Sequence, residues 1–298
     1  MAENKIQKPI RQLVRSIYDL QEDRKRIGLR LVNHFMVKMG IAPSQKRGKA
    51  RQLLDQLKQE YKRITDGLLE EPNVRKLLRE KGLITDEAEM ILVSMYFDLL
   101  KREEQQVKAL EKVLEEEPIY TTFLKNIKGI GPLLSGVLIS EIDITKAKYA
   151  SSLFKYAGLD VVTYYDEKKK QWIAEGRRMK KEHLEEREYI DKDGKKKVKK
   201  TLTFNPFLKS KLVAEKGVAH NFIMHRTEPY YSMYLNYKFR VRNKPEYKNE
   251  SDGHVHNMAK RYIAKQFLIQ YYKKARELAG LPVYNPYAEA KLGIKHAV

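Results

Sequence analysis

Six residues, Ile127-Lys128-Gly129-Ile130-Gly131-Pro132, constrain this chain more than any other stretch. They separate two apolar helical patterns, residues 119–126 and 133–142. Glycine admits a positive φ where any side chain would clash, and both Gly129 and Gly131 are expected to use that freedom in a tight hairpin. Pro132 suits the first position of the following helix, where no N–H partner is needed. The spacing apolar-x-Gly-apolar-Gly is the helix-hairpin-helix pattern. Its backbone N–H groups, gathered at a helix N-terminus, form a site for phosphate oxygens. Lys128, Gly129, Ile130, Gly131 and Leu133 are therefore candidate nucleic-acid-binding residues. The competing interpretation is an ordinary Gly-rich turn between core helices.

Charge strengthens the first interpretation. The 298 residues carry a net charge of +21, which implies attraction to a polyanion, either nucleic acid or an anionic membrane surface. No run of apolar residues is long enough to span a bilayer, and the start of the chain has no signal-peptide core, so a cytoplasmic protein is expected. Zero cysteine excludes disulfides, thiolate metal sites and a cysteine nucleophile. A hydrophobic share of 42% argues against global disorder.

The periodicity predicts a mainly α protein in two parts. Residues 1–118 read as a helical coiled coil or bundle suited to dimerisation. Residues 119–298 read as a helix-hairpin-helix domain with a small basic β-arm. In the first part, Ile10, Leu13, Ile17, Leu20, Ile27 and Leu31 alternate at spacings of three and four, with Arg24 interrupting the seam. A second helix spans about residues 50–69 and a short one about 74–80. A third starts behind Thr85 as N-cap and runs towards Glu117, ending at Pro118. In the second part, Thr145 is expected to cap a helix over 146–157, closed by Gly158. Residues 161–165 have β character, and residues 189–195 predict a hairpin turning at Asp193-Gly194. The tyrosines from Tyr230 to Tyr237, with Phe239, read as core, and a last helix spans about 254–279.

Residues 166–204 are dense in cations. Lys168, Lys169, Lys170, Arg177, Arg178, Lys195, Lys196, Lys197, Lys199 and Lys200, with Lys209 beyond them, are candidates for phosphate contacts, and Trp172 for stacking on a base. A solvated surface loop is the plainer alternative. No His or carboxylate spacing fits a metal site, and no P-loop or Rossmann glycine set is present, so no cofactor or metal is expected.

Several stretches together resemble the Piv-like insertion-sequence transposases, recombinases guided by a bridge RNA. The likeness runs through Leu124 to Pro132, then Ile139-Ser140-Glu141-Ile142, then Phe154-Lys155-Tyr156-Ala157-Gly158-Leu159. Weaker likeness extends to Thr203-Phe204-Asn205-Pro206-Phe207-Leu208-Lys209, to the helix around Met258 to Lys265, and to the coiled-coil stretch from Leu13 to Arg26. The resemblance implies a dimer through the N-terminal helices, DNA or structured RNA as partner, and DNA recombination as the ancestral activity. It also implies a ribonuclease-H-like domain holding divalent metal. The chain opens on the coiled coil, so that domain is expected to be missing. The family's nucleophilic serine lies shortly after the Gly-Leu pair, where this chain has Asp160-Val161-Val162-Thr163-Tyr164-Tyr165. Thr163, Tyr164 and Tyr165 are the hydroxyls left for covalent chemistry, and no activating base stands beside them in the sequence. The expectation is a transposase-derived protein that grips branched DNA or structured RNA without cutting it. The alternatives are an active recombinase using one of those three hydroxyls and a structural protein that neutralises packaged nucleic acid.

Overall fold

A computed structural model of the protein describes residues 7–42, 46–68, 78 and 82–285. Apart from Leu78, the helix expected over 74–80 lies outside the described residues. So does the last part of the chain from Pro286. The chain divides into two compact units, residues 12–110 and residues 1–11 with 111–298.

Helices α1 (Gln7–Lys38), α2 (Lys46–Gly67) and α3 (Glu87–Leu114) supply the first unit. Their apolar stripes meet in one core that includes Leu31, Phe35, Leu57, Ile64, Ile84 and Val93. Arg24, the polar interruption of the α1 seam, is half-buried and paired with Glu103 at 2.6 Å, and Gln21 donates to the same carboxylate at 2.8 Å. The interruption is thus an ion pair taken inside, which fixes one pairing of α1 with α3. The start of α3 differs from expectation by one residue. Asp86 is the N-cap, accepting from the Glu89 amide at 2.9 Å. Thr85 instead gives both its amide and its hydroxyl to Glu89.

Glu89 is the polar centre of this unit. It is buried, and Lys38 and His34 also reach it, at 2.6 and 2.8 Å. Burial pushes its carboxyl upward, but hydrogen bonds from Lys38, the Thr85 amide and His34 outweigh that and hold it near a pKa of about 2.

The second unit is helical with two separate two-stranded antiparallel sheets. Its helices are α4 (Pro118–Thr122), α5 (Pro132–Glu141), α6 (Ala150–Tyr156), α7 (Pro206–Val213), α8 (Val218–Met224), α9 (Tyr230–Arg242) and α10 (Asp252–Leu278). Its strands are β1 (Val161–Asp166), β2 (Gln171–Gly176), β3 (Leu184–Ile190) and β4 (Lys196–Leu202). The basic arm is therefore two hairpins rather than one. The turn at Asp193-Gly194 lies where its residues predict, between Ile190 and its partner Lys196.

The core of this unit forms around α10. Phe267 meets Phe222 edge-on at 5.6 Å and lies parallel to Phe123, while Phe222 stacks on Tyr230 at 4.2 Å. Tyr230 and Tyr234 are buried as the sequence predicts, whereas Phe239 is 72% exposed. Buried polar groups join the elements. Glu141 at the end of α5 receives Arg11 at 3.2 Å and the Asn205 amide group at 2.7 Å. Asn205 also caps α7 by accepting from the Leu208 amide. Arg276 donates to the carbonyls of Ala147 and Pro282.

The helix expected over 146–157 is shorter at its start. Asp143, not Thr145, accepts the capping bond, and it caps only a 3-10 turn. Gly158 ends α6 with its Cα against the Phe204 ring, where a Cβ would come within 2.5 Å. That contact seats the first hairpin beside the start of α7.

Replacing Glu89 by glutamine removes the charge that Lys38 and His34 face. A loss of about 1.5–3 kcal/mol of stability is expected in the 12–110 unit. Because the folded carboxyl is held below its ordinary value, its contribution is complete above about pH 4.5 and disappears as pH falls towards 2. Acid titration followed by circular dichroism should therefore be flatter over that range for Glu89→Gln than for the parent.

Candidate nucleic-acid interface

The hairpin between α4 and α5 has an asymmetric backbone. Four of the five carbonyls from Ile127 to Gly131 are taken. Thr227 donates to the Lys128 carbonyl at 2.8 Å and Asn221 to the Gly129 carbonyl at 2.9 Å. The Ile127 and Gly131 carbonyls accept from the Ile130 and Ser135 amides. Its donors are left over. Among the described residues, the amides of Lys128, Gly129, Gly131, Leu133 and Leu134 have no hydrogen-bond partner. Unpaired N–H groups concentrated at a helix N-terminus carry partial positive charge.

The two glycines serve different ends. Gly129 has φ +91, and a Cβ there would press on Asn221 and on the His225 ring at about 3.2 Å. Its missing side chain lets α8 pack against the hairpin. Gly131 does not need positive φ. It is extended, with φ −89 and ψ 179, and the space where its Cβ would go is empty. Its missing side chain leaves the amides open from outside. Ile130 is 5% exposed and anchors the turn in the core, while Lys128 is exposed beside it and Leu133 is half-buried. Exposed His225 and Arg226 follow α8 on the segment that carries Asn221 and Thr227.

A second basic locus forms where β2 meets α7 and α10. Arg177, expected on the surface arm, is buried. Its guanidinium makes a two-pronged pair with Asp160 at 2.9 Å and also donates to Thr203. It holds the base of the first hairpin and is not presented outward. Lys209 donates to the Arg177 carbonyl and lies over the Phe204 ring. Arg261 and Lys265, one turn apart on α10, complete the cluster, with Arg178 exposed at its edge. Burial, then the fields of Arg261 and of the other arginines, lowers Lys209 to about 8 against the pull of Asp160. Burial also lowers Lys265, with Arg261 adding to the effect. Several half-buried cations sharing one carboxylate are costly unless an anion joins them.

The remaining candidates lie on the hairpins. Val161, Thr163 and Tyr165 face outward, and Tyr165 meets Trp172 edge-on at 5.6 Å with Trp172 71% exposed. Lys168, Lys169 and Lys170 form the turn, where the Asp166 side chain accepts from the first two amides. Tyr164 faces the other way and donates to Glu175 at 2.9 Å, which raises its pKa. Lys180 pairs with the same carboxylate. His183 accepts from the Arg178 amide through Nδ1, leaving its Nε2 to carry the proton 3.5 Å from Glu175. Lys195, Lys196, Lys197, Lys199 and Lys200 are exposed along the second hairpin.

Residues 121–180 match the family model described as Transposase IS116/IS110/IS902 family. The resemblance read from the sequence is shown over this segment. The match spans the hairpin, α5, α6 and the β1–β2 hairpin, and it suggests a transposase-related function for that segment. No curated protein and no solved structure matches the chain. Among the described residues, no helix is long and apolar enough to cross a membrane.

Sequence reasoning missed the parts that come from far along the chain. Arg261 and Lys265 are visible as a pair at i,i+4, but nothing local points them at Lys209. Asn221 and Thr227 give no local signal of the carbonyls they capture.

If an anion is held beside Lys209, deprotonating that lysine must weaken the hold. Raising the pH from 8 to 9 should lower affinity for a phosphodiester by roughly up to tenfold. Lys209→Arg, always charged, should flatten this dependence in titrations monitored by fluorescence anisotropy.

Proposed function

We propose that this is a transposase-derived protein that grips the sugar-phosphate backbone of nucleic acid without cleaving it. The hairpin amides bind phosphate oxygens. The Lys209, Arg178, Arg261 and Lys265 cluster, the exposed lysines of the first hairpin and one face of the second extend the contact. Trp172 and Tyr165 offer a face on which a base stacks. The observation that carries this reading is the hairpin's imbalance, with four of its five carbonyls from Ile127 to Gly131 consumed internally and the amides of Lys128, Gly129 and Gly131 unpaired beside an open Gly131. Leu133 and Leu134 are the ordinary orphan donors of a helix N-terminus, and the unpaired amides of Lys128, Gly129 and Gly131 add to them at the same corner.

The chemistry beside the Gly-Leu pair supports binding over cleavage. Thr163 and Tyr165 point outward with no general base recorded beside them among the described residues. The raised pKa of Tyr164 makes its oxyanion harder to form. Branched DNA suits the reading, since a dimer through the N-terminal helices would present two grips.

Gly131→Val is the direct test. Its backbone is in a region open to any residue and its Cβ meets nothing, so the fold should survive with only the small loss that valine brings at the N-cap of α5. Affinity for a duplex or four-way junction should fall roughly tenfold, about 1.4 kcal/mol. Gly129→Val is a poor test, because positive φ and the α8 contact make it damage the fold. Binding by the parent should weaken with salt, with a slope of roughly −0.9 per phosphate neutralised. Affinity unaffected by salt and by Gly131→Val would refute the proposal.

A second reading keeps the recombinase activity and assigns the nucleophile to Tyr164, on the strength of its hydrogen bond to Glu175. It predicts a covalent protein–DNA adduct on nicked or branched DNA with Mg²⁺ and candidate guide RNAs, abolished by Tyr164→Phe. Absence of any adduct or nicking leaves the binding role alone.

A further inference from the structure

The lysine run of the second hairpin is divided by its own register. Side chains alternate between faces along a strand, so neighbours in sequence cannot face one ligand together. On one face Arg187 stands opposite Lys199, and Tyr189 opposite Lys197. On the other, Glu186 stands opposite Lys200, Glu188 opposite Val198, and Ile190 opposite Lys196. The second face is balanced, and Lys200 lies 3.8 Å from Glu186.

The first face also carries Glu185 opposite Thr201, and Lys197 pairs with Asp191 at 2.6 Å, which leaves Arg187 and Lys199 as its cations without an ion pair. Arg187 and Lys199 are like charges directly across the ladder, a placement that destabilises a strand pair. Among the described residues neither makes an ion pair, and Lys199 instead lies over the Tyr189 ring at 4.8 Å. All three are exposed. A two-stranded ribbon has little stability to spare, so repulsion at its middle argues for an outside anion that relieves it.

The shape narrows the anion. A two-stranded ribbon enters the major groove of B-form DNA, about 12 Å wide. The major groove of an A-form RNA duplex is too deep and narrow for side chains to read. We propose that the Arg187–Lys199–Tyr189 face of the β3–β4 ribbon lies in the major groove of a B-form DNA duplex, with the Glu186–Lys200 face turned away. This rests on the nucleic-acid reading above and gives it a ligand class and an orientation.

Two double variants of equal charge change separate the faces: Arg187→Glu with Lys199→Glu, and Lys196→Glu with Lys200→Glu. Each is titrated in the full chain against duplex DNA and against duplex RNA of the same sequence. The first pair should weaken DNA binding by roughly tenfold or more and the second by less than about threefold, from a parent that prefers DNA. Arg187→Gln with Lys199→Gln removes the repulsion. It should keep or raise the parent's melting temperature while losing affinity, which guards against a folding artefact. Equal losses from both charge reversals would mean an undirected field, and equal or tighter binding of duplex RNA would remove the groove assignment. Either result overturns the proposal. If Gly131→Val weakens DNA binding while both arm variants leave it unchanged, only the ribbon proposal falls. If the parent binds neither duplex, the nucleic-acid reading falls with it.

Discussion

The capture of two carbonyls by Asn221 and Thr227 is the contact on which the candidate site depends. A tight turn between helices has donors and acceptors to satisfy, and water usually serves both. Here the acceptors of Lys128 and Gly129 are met by Thr227, three residues past the end of α8, and by Asn221 within it. The hairpin is thereby held rigid on one side and left with an excess of donors on the other. Its positive character comes from main chain, so it needs no lysine and tolerates close approach. Gly129 makes the packing on α8 possible, and Gly131 keeps the opposite side clear.

The rest of the second unit holds this corner and its cationic neighbours in place. Glu141, at the far end of the helix that begins at Pro132, ties Arg11 and Asn205 together. Asn205 caps α7, which carries Lys209. Asp160 and Arg177 close the base of the first hairpin. A short chain of hydrogen bonds thus runs from one end of α5 to the half-buried cation cluster. Lys209 is lowered to about 8 first by burial and then by the arginines around it, an arrangement that a nearby anion would relieve.

Much of the fold was legible before any coordinates. The apolar spacing of α1, the extent of α3, the turn at Asp193-Gly194 and the buried tyrosines of α9 follow from local pattern and periodicity. Other features did not. Asp86 rather than Thr85 caps α3, because Thr85 is drawn into the Lys38–Glu89 network from another helix. Arg177 looked like one more cation of a basic arm, and Asp160, seventeen residues earlier, takes it inside. The lysines from Lys195 to Lys200 read as one patch, yet strand pairing sends alternate members to opposite faces.

By itself the sequence determined that the chain is helical and strongly basic, and that a glycine-marked hairpin sits before an apolar helix. These are local matters of periodicity, charge and backbone freedom, and they do not depend on what packs where. Only the tertiary structure decided which hairpin groups are spent and which are free, and which cations meet. Those outcomes depend on side chains about ninety or more residues away in the chain, as Asn221 and Thr227 are from the turn they hold. Contacts across that separation leave no imprint on local spacing.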